Sequence, residues 1–307
     1  MRYQSLRELI ILTIFLSVWF CATPQYSSNW MDDGDYPDAH VANPDYLISQ
    51  DLNRPIIIAC HGFSASTAEW REFKKYAEVH SDAYVQLVLL GGHGRSLKVF
   101  KKTTWEDWRT PIEDAIRYYS NKGFKNIHLI GSSAAAPLLL SLSTSEVMRS
   151  HSIKSIIFVD PFIIARPKFY SYIDSPLSWI IRDVPVYWGK PKDWRKDFYG
   201  HYPIAALKQL KLLTDKTELK LANPLALPEW VSIAVFQSSG DPVSDPQGAT
   251  LLTQQLTPFP DLYVVESNLH VFTRSVGQDP KEGTPKDAQN QRWAFDEFLK
   301  FCKVAQR

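Results

Sequence analysis

The sequence has only 3 cysteines in 307 residues, Cys21, Cys60 and Cys302, too few for the disulfide framework of a small exported domain. Cys60 ends an apolar run and Cys302 falls in the last helical stretch, so both read as buried thiols, not as a bridge or a metal pair. The net charge is only +1, and no basic run of the length a nucleic-acid partner requires is present. The N-terminal apolar run, Leu9 to Phe20, falls short of the roughly 20 residues that cross a bilayer. Asp32, Asp33, Asp35 and Asp38 gather without the spacing of a calcium loop. Internal repeats and low-complexity tracts are also missing. What is left is a chain of a length for one large α/β domain or two modest ones.

Residues 1–22 read as a signal peptide or N-terminal anchor, with Arg2 and Arg7 ahead of the apolar run. Cys21 stands where the lipidated cysteine of a bacterial lipoprotein would, but Phe20 replaces the small residue usual before it. Cleavage after Ala22, an uncleaved anchor and a buried apolar helix stay open beside lipidation. The expectation is an exported or membrane-anchored protein of the bacterial periplasm or cell envelope, associated with the membrane through this segment. Residues 23–54 are polar and without period, a spacer and lead-in.

From Pro55 onward short, nearly all-apolar runs alternate with amphipathic stretches. Strands are expected over Pro55–Ala59, Tyr84–Leu90, Ile127–Ile130, Ile153–Val159, Val231–Phe236 and Leu262–Val265. Helices are expected over Glu69–His80, Trp105–Ser120, the stretch after Ser133, Gln247–Leu256 and Arg292–Val304. Fully apolar strands alternating with helices imply an α/β fold, a mainly parallel sheet flanked by helices. Residues 162–228 break the alternation with many aromatics, several prolines and one helix over Ile204–Leu213. They read as an inserted helical cap between core segments 55–161 and 229–307, its aromatics forming a small core with some facing the cleft.

The run IHLIGSSAAAPLLL places Ser133 at a tight turn from strand to helix, between the small residues Gly131 and Ala135. Such a turn exposes a hydroxyl at the carboxyl edge of the sheet, by the next helix's N-terminus. A serine N-cap opening an Ala-rich helix gives the same letters. The rest of the chain favours the first reading, because Asp241 and His270 follow later strands in the order serine, acid, histidine. A base must take the hydroxyl proton, and a carboxylate must fix the base's tautomer. Taken singly, Asp241 could cap a turn and His270 could sit on a surface loop. Asp245 and, more distantly, Asp160 are the alternative acids. The oxyanion of a tetrahedral intermediate needs two backbone donors, expected from Phe63 and Ala134. His61 and His93 are expected to hold loop geometry.

The runs HGFSASTAEW, LLGGHGRS, GSSAA, SGDPVSDP and LHVF resemble the α/β-hydrolase superfamily. More narrowly, they are similar to the carboxylesterase and monoacylglycerol-lipase-like group, also labelled serine-aminopeptidase-like. YPIAALKQLKLL is similar to that group's cap-to-core helix. The resemblance spans Pro55 to the C-terminus and implies an α/β-hydrolase fold. It also implies catalytic Ser133, Asp241 and His270, an oxyanion hole of Phe63 and Ala134, and neither cofactor nor metal. Ala135 departs from the usual glycine, and the first strands of the full fold look absent. The activity implied is cleavage of carboxylic esters, on a small-molecule ester or lipid-like substrate, and the aromatic composition of residues 162–228 points to apolar acyl chains of short to medium length. An acyltransferase, a thioesterase, or a binding protein that kept the fold without the reaction are the alternatives.

Overall fold

Strands that are apolar at every position need cover on both faces, and the computed structural model has this arrangement. It describes residues 51–166, 170, 173, 182–186, 197–275 and 284–305. The expected N-terminal signal with Cys21, the acidic cluster from Asp32 to Asp38, and Phe169, Tyr172, Trp179, Tyr187, Trp188 and Trp194 lie outside the described residues. In chain order the strands are β1 (Ile56–Cys60), β2 (Tyr84–Val88), β3 (Ile127–Ser132), β4 (Ile153–Val159), β5 (Asp183–Pro185), β6 (His201–Pro203), β7 (Leu225–Ala226), β8 (Ser232–Ser238), β9 (Leu256–Thr257) and β10 (Asp261–Val265). The α-helices are α1 (Arg71–His80), α2 (Leu97–Phe100), α3 (Trp105–Asn121), α4 (Ala135–Ser141), α5 (Ile204–Lys220), α6 (Gln247–Gln255) and α7 (Asp287–Phe301).

The central sheet runs β10-β8-β4-β3-β1-β2, with every neighbouring pair parallel. The chain steps outward from β1 to β2, then crosses back to β3 and continues to β10. The reversal lies between β1 and β3, so the loops leaving these two strands diverge and open a crevice at their carboxyl ends. Pleating sends Ile56, Ile58 and Cys60 to one face, with α3 and α4, and Ile57 and Ala59 to the other, with α1 and α7. Burying one such isoleucine side chain contributes about 1.5–3 kcal/mol. All five β1 residues are buried, whereas the edge strand β10 buries only Val265.

Helix α3 starts with a capping box in which Thr104 and Asp107 satisfy each other's backbone N–H groups. Pro111 inside it cannot donate to the Asp107 carbonyl. Gly91 packs against that same carbonyl, and a Cβ there would sit 2.0 Å from it.

Several boundaries differ from expectation. A 3-10 turn over Thr67–Trp70, capped by the Ser66 hydroxyl, precedes α1. Helix α5 extends to Lys220, because Thr214 and Thr217 continue its buried face by donating to carbonyls of the preceding turn. Leu210 and Leu213 of α5 pack in the same core as Leu138 and Leu139 of α4. Within the 162–228 segment Val184, Ile204 and Leu207 form a small buried cluster with Ile173, Tyr202 and Phe63, and several described aromatics dock on the core loops. Tyr199 stacks on Phe100 at 4.6 Å, Tyr202 meets Phe63 edge-on at 5.3 Å, and Tyr170 meets Phe162 at 6.0 Å.

Candidate active site

Ser133 sits between β3 and α4 with φ 50°, a left-handed conformation that costs a non-glycine residue of order 1–3 kcal/mol. The surroundings enforce it. The Ser133 N–H donates to the Val159 carbonyl at 2.9 Å, and its carbonyl accepts from Phe162 at 3.0 Å and Ala136 at 3.1 Å. A Cβ on Gly131 would lie 2.7 Å from Leu139 and 3.1 Å from the Ala135 Cβ. The turn therefore requires glycine at 131 and tolerates only a small residue at 135. Alanine meets that requirement.

The turn aims the Ser133 hydroxyl at His270, with Oγ 2.8 Å from Nε2. On the other side of the ring, Nδ1 lies 2.8 Å from Oδ2 of Asp241. With Nδ1–H donating to the carboxylate, Nε2 is left as the acceptor for the serine proton. Oδ1 of Asp241 accepts from the N–H groups of Val243 at 2.7 Å and Ser244 at 2.9 Å, fixing the carboxylate in its turn. Burial opposes the imidazolium of His270, but the Asp241 charge and hydrogen bond outweigh it and hold the pKa above its usual value. The acid turn and the histidine loop abut at Gly240, whose N–H donates to the Ser267 carbonyl at 2.9 Å. A Cβ at Gly240 would stand 2.2 Å from the Asn268 side chain.

Across the crevice, the loop after β1 approaches the serine so closely that a Cβ on Gly62 would lie 2.9 Å from the Ser133 Cβ. His61 is fully buried, and its Nε2 accepts the Leu90 N–H at 3.1 Å, which puts the ring proton on Nδ1. Nδ1–H donates to the Gly62 carbonyl at 2.8 Å. In a trans peptide the N–H points opposite to the carbonyl, so this bond also sets the direction of the Phe63 N–H. Among the described residues neither the Phe63 nor the Ala134 amide donates to a backbone or side-chain acceptor. Burial holds the His61 pKa down to about 4 and that of His93 well below its usual value, so both stay neutral near pH 7. His93 packs against Phe100 at 4.5 Å and Trp108 at 5.4 Å, anchoring the Phe63 ring's surroundings.

The alternative acids serve other partners. Asp245 accepts from the Gln247 N–H at 3.0 Å, at the start of α6, and faces Arg166 at 3.5 Å. Asp160 is fully buried with φ 43°. Its carboxylate accepts from the Ser238 N–H at 2.6 Å and the Phe272 N–H at 3.1 Å, tying the β8 end to the histidine loop. Burial and the neighbouring Asp241 charge raise its pKa. Two residues that the sequence reading did not single out also border the site. Glu69 is buried beneath the Gly62 loop, and Oε2 lies 3.7 Å from Nε of Arg274 on the histidine loop. Non-glycine residues with positive φ include Ser64, Ser133, Asp160 and Val271, all in loops around this crevice. Among the described residues no group of His, Cys, Asp or Glu side chains is arranged to hold a metal ion.

The sequence matches no protein-family model and no curated protein sequence. By structure, the chain is similar to a metagenome-derived lipolytic enzyme from the study of LipS and LipT. That match has a TM-score of 0.62 and 20% identity, covering 82% of this chain and 94% of that one. It is also similar to a soluble variant of monoglyceride lipase from Saccharomyces cerevisiae, with a TM-score of 0.57 and 13% identity over 86% and 89% of the two chains. A thermophilic esterase from Thermogutta terrifontis matches with a TM-score of 0.54 and 14% identity over 81% and 91%. At these identities the likeness is one of fold. With a parallel sheet, a serine turn after β3, and solved lipases and esterases sharing the architecture, the chain has the α/β-hydrolase fold.

Proposed function

We propose that the protein is a serine hydrolase that cleaves carboxylic esters through an acyl-enzyme. The observation carrying this reading is the hydrogen-bonded row from Ser133 through His270 to Asp241, with 2.8 Å at each step. In this mechanism His270 takes the proton of Ser133 as the hydroxyl oxygen attacks the ester carbonyl. The negative oxygen that forms is stabilised by the Phe63 and Ala134 amides, which have no acceptor among the described residues. His270 then gives its proton to the departing alcohol. Water, deprotonated by the same ring, attacks the acyl-enzyme and releases the acid. Asp241 keeps the ring in the required tautomer and stabilises the imidazolium in between.

The lipolytic and esterase functions named for the structural neighbours support an ester as the substrate bond. The aromatic content of residues 162–228 supports an apolar acyl group of short to medium length. The proposal places the enzyme in the cell envelope, held through residues 1–22, and the mass of the mature chain tests that part. For the chemistry, a fluorophosphonate probe should label the wild type at Ser133 and leave Ser133→Ala unlabelled. A p-nitrophenyl ester series should show higher kcat/KM for butyrate or hexanoate than for acetate. A wild type that is neither labelled nor active on any ester overturns the reading.

A further inference from the structure

Glu69 follows the HGFS run in a 3-10 turn and is buried, a position that an acidic side chain occupies only when its oxygens are satisfied. Its partners come from two loops and the end of β3. Oε1 accepts the Gly62 N–H at 2.8 Å. The same oxygen accepts the hydroxyl of Ser132, the residue before the nucleophile. Oε2 faces the Arg274 guanidinium at 3.7 Å. Arg274 itself lies over the Phe198 ring at 4.4 Å. One carboxylate therefore touches the loop carrying Phe63, the turn carrying Ser133 and the loop carrying His270.

The geometry has a specific effect on the Phe63 and Ala134 amides. His61 fixes the peptide between Gly62 and Phe63 through its carbonyl. Glu69 fixes the preceding peptide through the Gly62 N–H. Without that second tie the Gly62 loop can pivot about His61 relative to the elbow, because Gly62 has no side chain to resist it. We propose that Glu69 is a positioning residue that registers the Phe63 loop against the Ser133 elbow, so that the Phe63 and Ala134 amides converge on one oxygen. This rests on the serine-hydrolase reading above, in which that oxygen is the developing oxyanion.

The test measures ester kinetics per site titrated with fluorophosphonate, with circular dichroism as the check on folding. Glu69→Ala should lower kcat per titrated site by about 10²–10³, the loss expected when an oxyanion donor is misplaced, and leave KM within about threefold. Glu69→Gln keeps an oxygen for the Gly62 amide and should recover activity to within about tenfold of wild type. Loss of fold alone would lower the number of titratable sites, not the rate at each. A folded Glu69→Ala protein with kcat per site within about threefold of wild type overturns the proposal. If Glu69→Ala does not fold, Ser132→Ala decides: a drop of about tenfold or more supports the proposal, and an unchanged rate overturns it. A wild type that the probe does not label refutes the hydrolase reading itself, a different result from a labelled wild type with fully active variants.

Discussion

The sheet carries a serine–histidine pair at each end. At the carboxyl end, Oγ of Ser133 lies 2.8 Å from Nε2 of His270. At the opposite end, Oγ of Ser155 on β4 lies 2.8 Å from Nδ1 of His128 on β3. The separations are the same, and the surroundings are not. The ring of His270 rests on the Asp241 carboxylate, which raises its pKa. Among the described residues no carboxylate bonds to His128. Burial and the nearby Lys154 charge push its pKa down to about 4. Ser133 stands on a left-handed turn beside the Phe63 and Ala134 amides, which find no acceptor among the described residues. Ser155 lies inside β4, just past a register shift against β3, its hydroxyl also 3.6 Å from the Cys302 sulfur. Serine–histidine contact alone does not make a nucleophile. A third group must favour the imidazolium, and donors must wait where charge develops.

The largest expected effect breaks the comparison outright. Ser133→Ala should lower kcat by roughly 10⁶, whereas Ser155→Ala should leave ester kcat/KM within about twofold. Next is Asp241→Asn, which keeps the shape of the acid but favours the wrong ring tautomer. It should cost about 10⁴ in kcat with little change in KM. Third is a stability difference. The buried, neutral His128 binds its proton only near pH 4, while the unfolded chain binds it near 6.5. Stability is therefore fully present above pH 6.5 and falls as pH drops towards 4, by on the order of 3 kcal/mol from this residue. Urea unfolding of wild type and His128→Gln at pH 7 and pH 5 should show a smaller pH dependence in the variant. The smallest effect sharpens the contrast. The acid limb of the kcat/KM profile should titrate above pH 6.5, because His270 must be neutral to act as base and its pKa is raised. His128→Gln should leave that limb in place.

Much of the architecture was legible in the sequence because each strand is a short apolar run, and Ser133, Asp241 and His270 each follow one. Chain order joined what the sheet later brings together. The rest was hidden for physical reasons. Helix α5 outlasts its apolar period because Thr214 and Thr217 bury hydroxyls that bond to their own helix. Helix α7 begins at Asp287, ahead of the expected Arg292, because its first turn is polar and carries no apolar period. Glu69 is not legible as a site residue because an acid at a helix start complements the helix dipole in any case, and nothing local announces that it lies inside. The one available signal was its place between Ala68 and Trp70, both buried, just after the glycine loop. The docking of Tyr199 and Tyr202 on the β1 and β2 loops was equally unreadable, since contacts between distant segments leave no periodic trace.

Cys60 and Cys302 are buried free thiols, one in the β1 strand that leads into the crevice and one just past the closing helix. Burial pushes the Cys302 thiol up to about 12 and that of Cys60 further. Only a thiolate reacts with an alkylating reagent, so neither sulfur can be modified while the native packing holds. In a Cys21→Ser background the molecule thus contains two chemical clocks for its own opening. Alkylation of Cys302 times the detachment of the C-terminal helix, and the slower alkylation of Cys60 times the parting of the sheet.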